Sequence, residues 1–142
     1  MTAPRNARGA LAAGLVGALL GLLAVAPGAG AAFYFHSPSG NIGCGISRSG
    51  ARCDIAQHTW KPPPKPRSCH LDWGYGLTVG RHGPASFFCA RDSVLHLGPA
   101  LAYGQKVRRG RFKCASRTDG VRCVNLRTHR GFKLSREHAR RF

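Results

Sequence analysis

Acid is what this chain has least of: 5 Asp and Glu stand against 22 Lys and Arg, for a net charge of +17 over 142 residues. Hydrolases that work through two carboxylates need an acidic pair across the scissile bond, and so few acids make such a pair hard to build. The motifs G-x-S-x-G and H-E-x-x-H and a Gly-rich phosphate loop are missing too, which removes the commonest hydrolase and nucleotide-binding signatures. No C-x-x-C or H-x3-H spacing accompanies the 6 Cys and 7 His, so neither a structural zinc site nor any other cofactor is expected. Cys69-His70 is the one Cys-His neighbour pair, and adjacent residues of a strand face opposite sides. Beyond residue 31 no helical period of useful length occurs, which leaves a mostly β chain.

The first thirty residues read differently from the rest. Arg5 and Arg8 precede an uncharged apolar run, Leu11 to Ala26, broken by Pro27-Gly28 and followed by the small residues Ala29-Gly30-Ala31. This is the layout of a cleavable secretory signal, expected over residues 1–31, with a single domain over 32–142. The apolar run is short for a membrane span, and no Cys follows it to take a lipid. The expectation is a protein of the cell envelope or the extracellular medium, with no stable membrane anchor after cleavage.

All six cysteines lie in the remaining domain, the even number expected of an oxidising compartment. Four form two copies of one unit, Cys44-x8-Cys53 and Cys114-x8-Cys123, each with a Gly six residues after the first Cys (Gly50, Gly120) and an Arg before the second (Arg52, Arg122). Around them apolar and polar residues alternate, as in half-buried strands. Arg48-Ser49-Gly50 and Thr118-Asp119-Gly120 supply the turns, with Gly50 available for a left-handed conformation. Pairing each hairpin symmetrically about its turn sets Cys44 opposite Cys53 and Cys114 opposite Cys123, close enough for cross-strand bridges. Cys69 and Cys89 then pair by elimination. A chain of this size buries a modest core, so such staples matter. The expected fold is mostly β: a small, disulfide-stapled β-sandwich or barrel-like domain built on the two similar hairpins.

Between the hairpins, Trp60-Lys-Pro-Pro-Pro-Lys-Pro66 must be extended, because each Pro fixes φ and restrains its predecessor. It reads as a stiff connector to Cys69, with docking into a partner groove as the alternative. Strands are expected over Trp73–Val79 and Ala85–Cys89, over Leu101–Val107 and over Gly131–Leu134. Ser135 to His138 reads as a helical turn capped by Ser135. Trp60 and Trp73 are either core aromatics or the lining of a groove, and residues of this size usually belong to the core.

The string Phe35-His-Ser37-Pro38-Ser39-Gly40-Asn41-Ile42-Gly-Cys44 leads a series of further matches. They include Arg52-Cys53-Asp54-Ile55, Trp60-Lys-Pro62-Pro63-Pro64, Phe88-Cys89-x2-Asp92, Leu101-x-Tyr103-Gly104, Gly120-Val-Arg-Cys123 and Gly131-Phe132-x-Leu134-Ser135-Arg136. Together they resemble a family of small secreted actinobacterial proteins known only as a domain of unknown function. The resemblance spans the chain beyond the export segment and implies secretion, three disulfides and one compact domain. It implies no activity, substrate or site residue.

Loss of the export segment takes Arg5 and Arg8, and +17 falls by two to +15. Thirteen cations lie between Lys106 and Arg141, against Asp119 and Glu137 alone. By alternation Arg111, Lys113, Arg117 and Arg122 share the outer face of the second hairpin, and Lys113 and Arg122 fall diagonally across the pair. Lys106, Arg108, Arg109, Arg127 and Arg130 extend the candidate anion-binding set. A β surface of this kind suits a polyanion: a cell-wall teichoic acid, an acidic polysaccharide or extracellular nucleic acid. The expected function is a non-catalytic binding module. The alternatives are a protease inhibitor presenting Arg48-Ser49 or Arg108-Arg109, and a small hydrolase using an acid–base pair among the His and Asp residues.

Overall fold

Alternation around the two Cys-x8-Cys units builds two hairpins, and each hairpin grows into a full sheet. A computed structural model describes residues 30–142; the secretory signal expected over residues 1–31, apart from Gly30 and Ala31, lies outside the described residues. The strands are β1 (Phe33–His36), β2 (Ile42–Ile46), β3 (Gly50–Ile55), β4 (Asp72–Gly80), β5 (Ser86–Ala90), β6 (Lys106–Arg109), β7 (Phe112–Arg117), β8 (Gly120–Asn125), β9 (Gly131–Leu134) and β10 (Ala139–Arg141), with no helix among the described residues. They form two antiparallel sheets in simple sequential order, β1 to β5 and β6 to β10. β2, β3 and β4 pack against β7, β8 and β9, so the fold is a β-sandwich of two meanders.

The two sheets correspond strand by strand around their central disulfides, although the β4–β5 pair carries a register shift between Trp73 and Leu77. Reading across the inner face of the first, Phe35, Cys44, Cys53, Leu77 and Phe87 stand opposite one another on successive strands. The second reads Val107, Cys114, Cys123, Phe132 and Arg141. The disulfides Cys44–Cys53 and Cys114–Cys123 each bridge directly opposed residues at a Cα separation of 4.1 Å. All four cysteines are fully buried, and Cys53 Sγ meets Cys123 Sγ at 3.6 Å. Two stacked disulfides therefore form the centre of the core, ringed by Phe35, Ile46, Leu77, Phe112, Phe132 and Leu134. Cys44, Cys53 and Cys123 bring three sulfurs together, but bridged sulfur is not thiolate and does not serve as a metal ligand of the thiolate type. Cys69–Cys89 is the third bridge, and no described cysteine is free. Such a complement belongs to an oxidising environment.

Several local expectations are corrected. The strand expected over Leu101–Val107 is β6, Lys106–Arg109, because Gly104 at φ +86° and the Gln105 N–H to Ala102 O bond close a turn first. Ser135–His138 is no helical turn but the β9–β10 hairpin loop. Ser135 Oγ accepts from His138 N as a cap would, yet Ser135 N also donates to His138 O, as antiparallel strands require. Gly50 is not left-handed; a Cβ there would lie 2.9 Å from Val79 O on the neighbouring strand. Strands β1 and β10 were not expected.

The β5–β6 connection crosses the outer face of the first sheet. Asp54, 3 % exposed, takes a two-pronged salt bridge from Arg52 at 2.9 and 3.0 Å and accepts the Val94 N–H at 3.0 Å. Arg52 also reaches Asp92, through its side chain at 3.1 Å and its carbonyl at 2.7 Å, and lies 4.3 Å over the Phe88 ring. The segment then runs parallel beside β1, where Pro99 and Leu101 bond to His36, so the free edge of β1 is covered.

The hydrogen bond from Arg52 holds the Asp92 carboxyl below the usual aspartate range, and one from Lys133 does the same for Asp119. A depressed folded pKa contributes stability that is present above the unfolded value, about 3.9, and lost as pH falls through the folded one. Wild type will therefore lose more stability than Asp92→Asn between pH 7 and pH 3, measured by denaturant unfolding. Identical pH slopes would show that Asp92 makes no such contribution.

Candidate functional site

Repetition of the sheets makes their outer faces directly comparable. Across the outside of the first, one row reads Tyr34, Gly45, Arg52, Thr78 and Ser86. The matching row of the second reads Lys106, Ala115, Arg122, Lys133 and Arg140. Arg108 and Lys113 extend that face from the neighbouring row, and Arg117 from the end of β7. One cation on the first sheet thus becomes four on the second. Arg52 is neutralised by two carboxylates under the crossing segment. Its counterpart Arg122 is exposed, packs 4.3 Å over Phe142 and takes part in none of the described ion pairs. Asp119, in the β7–β8 turn, bonds Lys133. On the first sheet, by contrast, Asp54, Asp72 and Asp92 line one cavity together with Arg52 and Arg91, so charge there is nearly balanced while the second sheet's outer face is cationic.

The expected anion-binding residues divide into three groups. Lys106, Arg108, Lys113, Arg117 and Arg122 share the outer face, with Arg122 opposite Ala115 and diagonal to Lys113 as its sequence position implies. Arg109 does not join them. It stands across from Phe112, whose side chain is in the core, and lies 4.9 Å over the Phe33 ring at the edge of the sandwich. Arg111 was expected on the face and is elsewhere: Gly110-Arg111 is the two-residue turn between β6 and β7, with Gly110 at φ +56°, so strand alternation does not reach it. Arg127 and Arg130 lie in or beside the β8–β9 turn. Lys133 and Arg140 belong to the face and were not in the sequence-derived set.

Trp60 and Trp73 are half-buried on either side of Phe87, at ring separations of 5.9 and 6.2 Å. Both indole N–H groups are satisfied, Trp60 by Ser135 O and Trp73 by Pro63 O. The Pro-rich strip packs Pro62 onto Gly74, which is how a connector behaves. Arg48 and Ser49 sit in a tight turn closed by Ser47–Ser49 hydroxyl contact and by Ser47 N–H to Gly50 O.

At one end of the sandwich a polar cleft of about 510 Å³ is lined by the Ser37–Asn41 turn, the Arg117–Gly120 turn and the Ser135–Glu137 turn, with Tyr103 beside them. Ser37 and Asn41 are occupied with the fold itself. Ser37 Oγ accepts from Ile42 N, while Asn41 exchanges two bonds with the Gln57 backbone.

No curated protein and no solved structure matches the chain. A family model does, over residues 14–142, and its description is a family of unknown function. That match includes every described strand and all three disulfides, and the chain therefore belongs to the family of unknown function DUF6636.

Proposed function

We propose that this protein is a secreted, non-catalytic module that binds an anionic polymer of the envelope or medium through the outer face of β6–β10. The observation that carries the reading is the contrast between two repeats of one sheet. The row occupied by Tyr34, Gly45, Arg52, Thr78 and Ser86 in the first holds Lys106, Ala115, Arg122, Lys133 and Arg140 in the second. Neighbouring strands lie about 4.8 Å apart, so these side chains form a line of cations across the sheet, interrupted at Ala115 and offset at Lys133 by its pair with Asp119. Like charges at that spacing repel, and a polyanion laid along them relieves the repulsion while releasing its own counterions.

Replacing Lys106, Lys113, Arg122 and Arg140 together with Gln tests it. None of the four takes part in a described ion pair, and none is in the core, so folding should survive. Binding to poly(glycerol phosphate) teichoic acid at low salt is expected to weaken by about 100-fold or more, as four counterion-releasing contacts disappear. Unchanged affinity in the folded variant would remove the assignment to this face.

A further inference from the structure

The far end of the sandwich from the Ser37–Asn41 turn gathers three arginines from three separate turns. Arg81 and His82 come from the β4–β5 turn, Arg111 from β6–β7, and Arg127 and Thr128 from β8–β9, around a space of about 310 Å³. No carboxylate lines that space, and none of the three guanidinium groups takes part in an ion pair among the described residues.

One fully buried side chain holds these turns together. Asn125 is 0 % exposed. Its Nδ2 donates to Gly80 O at 3.0 Å and Arg81 O at 3.3 Å, while its Oδ1 accepts from Arg127 N at 3.0 Å and Thr128 N at 3.4 Å. Next to it, Leu126 N donates to Arg111 O at 2.7 Å. The backbones that carry all three arginines are thus tied to one another, and the cost of ordering the arrangement is met in folding rather than on binding. Three arginines lining one space with no carboxylate among them repel until an anion arrives, and the paired N–H donors of a guanidinium group match the oxygens of a phosphate group. Thr128 and His82 also line the space and add a hydroxyl and an imidazole to its polar complement.

We infer that the Arg81–Arg111–Arg127 cleft is a specific site for one dianionic phosphate group, either free phosphate or the terminal monoester of a larger molecule. The site shares no residue with the cationic outer face and stands or falls independently of it.

Calorimetric titration at about 0.15 M NaCl, where weak surface attraction is largely screened, tests the inference with three probes: inorganic phosphate, glycerol 1-phosphate and a glycerol phosphodiester. A single equivalent of the first two is expected to bind, with the diester about tenfold weaker because it carries one charge in place of two. Tighter binding of the monoester than of free phosphate would identify a terminal ester as the occupant, and parity would identify the phosphoryl group alone. The Arg81→Gln/Arg127→Gln variant should lose binding about tenfold or more, while the four-residue outer-face variant keeps it. Absence of binding, retained binding in the double variant, or a diester bound as tightly as the monoester would overturn the inference. Because both arginines are exposed, the variant is expected to fold, and an unfolding midpoint at or above that of wild type confirms it.

Discussion

Asp54→Ala is expected to lower stability by about 2–4 kcal/mol and to release the segment that covers the first sheet. Three hydrogen bonds depend on this carboxylate, two from the Arg52 guanidinium and one from the Val94 N–H. Removing one partner of a buried pair leaves a charge and a donor uncompensated, which costs roughly 3–5 kcal/mol in a closed interior. Here the Arg52 side chain is 22 % exposed and keeps Asp92, so the lower range applies. Asp54→Asn should cost less, since its amide oxygen can still accept from Val94. Denaturant unfolding gives the total, and amide exchange at Val94 reports whether the segment has come away. A loss of stability below about 0.5 kcal/mol, with Val94 still protected, would mean that the Arg52–Asp54 pair does not anchor the crossing.

Gly76→Ala and Gly131→Ala are expected to cost about 3 kcal/mol each, and to cost nearly the same. Each glycine precedes, by one residue, the side chain that stands opposite a disulfide cysteine: Leu77 opposite Cys53, Phe132 opposite Cys123. A Cβ at Gly76 would lie 2.0 Å from Cys53 O, and one at Gly131 2.2 Å from Cys123 O. Those carbonyls are backbone, in strands stapled to their neighbours, so relief requires the sheet itself to open. Gly83→Ala is the contrast: nothing lies within 4 Å there, and only its φ of +76° is at stake, worth about 1 kcal/mol. Urea unfolding of the three variants measures all of this. A harmless Gly76→Ala beside a severe Gly131→Ala would show that the two sheets are not equivalent under load.

What the sequence made legible is what is local in it. The Cys-x8-Cys hairpins carry their own turns and alternation, so both bridges and both registers follow from symmetry about the turn, and the third bridge by elimination. Alternation also places Lys113, Arg117 and Arg122 on one face. It extends to Lys133, which sits between the core residues Phe132 and Leu134. Arg140 was beyond reach because β10 is three residues, Ala-Arg-Arg, with no apolar alternation to announce a strand. Arg111 was misplaced because a two-residue Gly-Arg turn looks like strand continuation when only parity is counted. The Arg52–Asp54 pair could be read from one strand, whereas Asp54 and Val94 are forty residues apart and nothing local points one to the other. The exposure of the second sheet's outer face depends on where the β5–β6 segment lies, a tertiary fact that no short pattern encodes. The Arg81–Arg111–Arg127 cleft is hidden for the same reason, since its members come from three turns that only the buried Asn125 brings together.

Co-sedimentation of the oxidised domain with purified cell wall across a salt series tests the binding account most directly. Log affinity is expected to fall linearly with log salt, and replacing Lys106, Lys113, Arg122 and Arg140 with Gln is expected to make the slope shallower by about 3. Binding indifferent to salt, or no binding even at low salt, would contradict it.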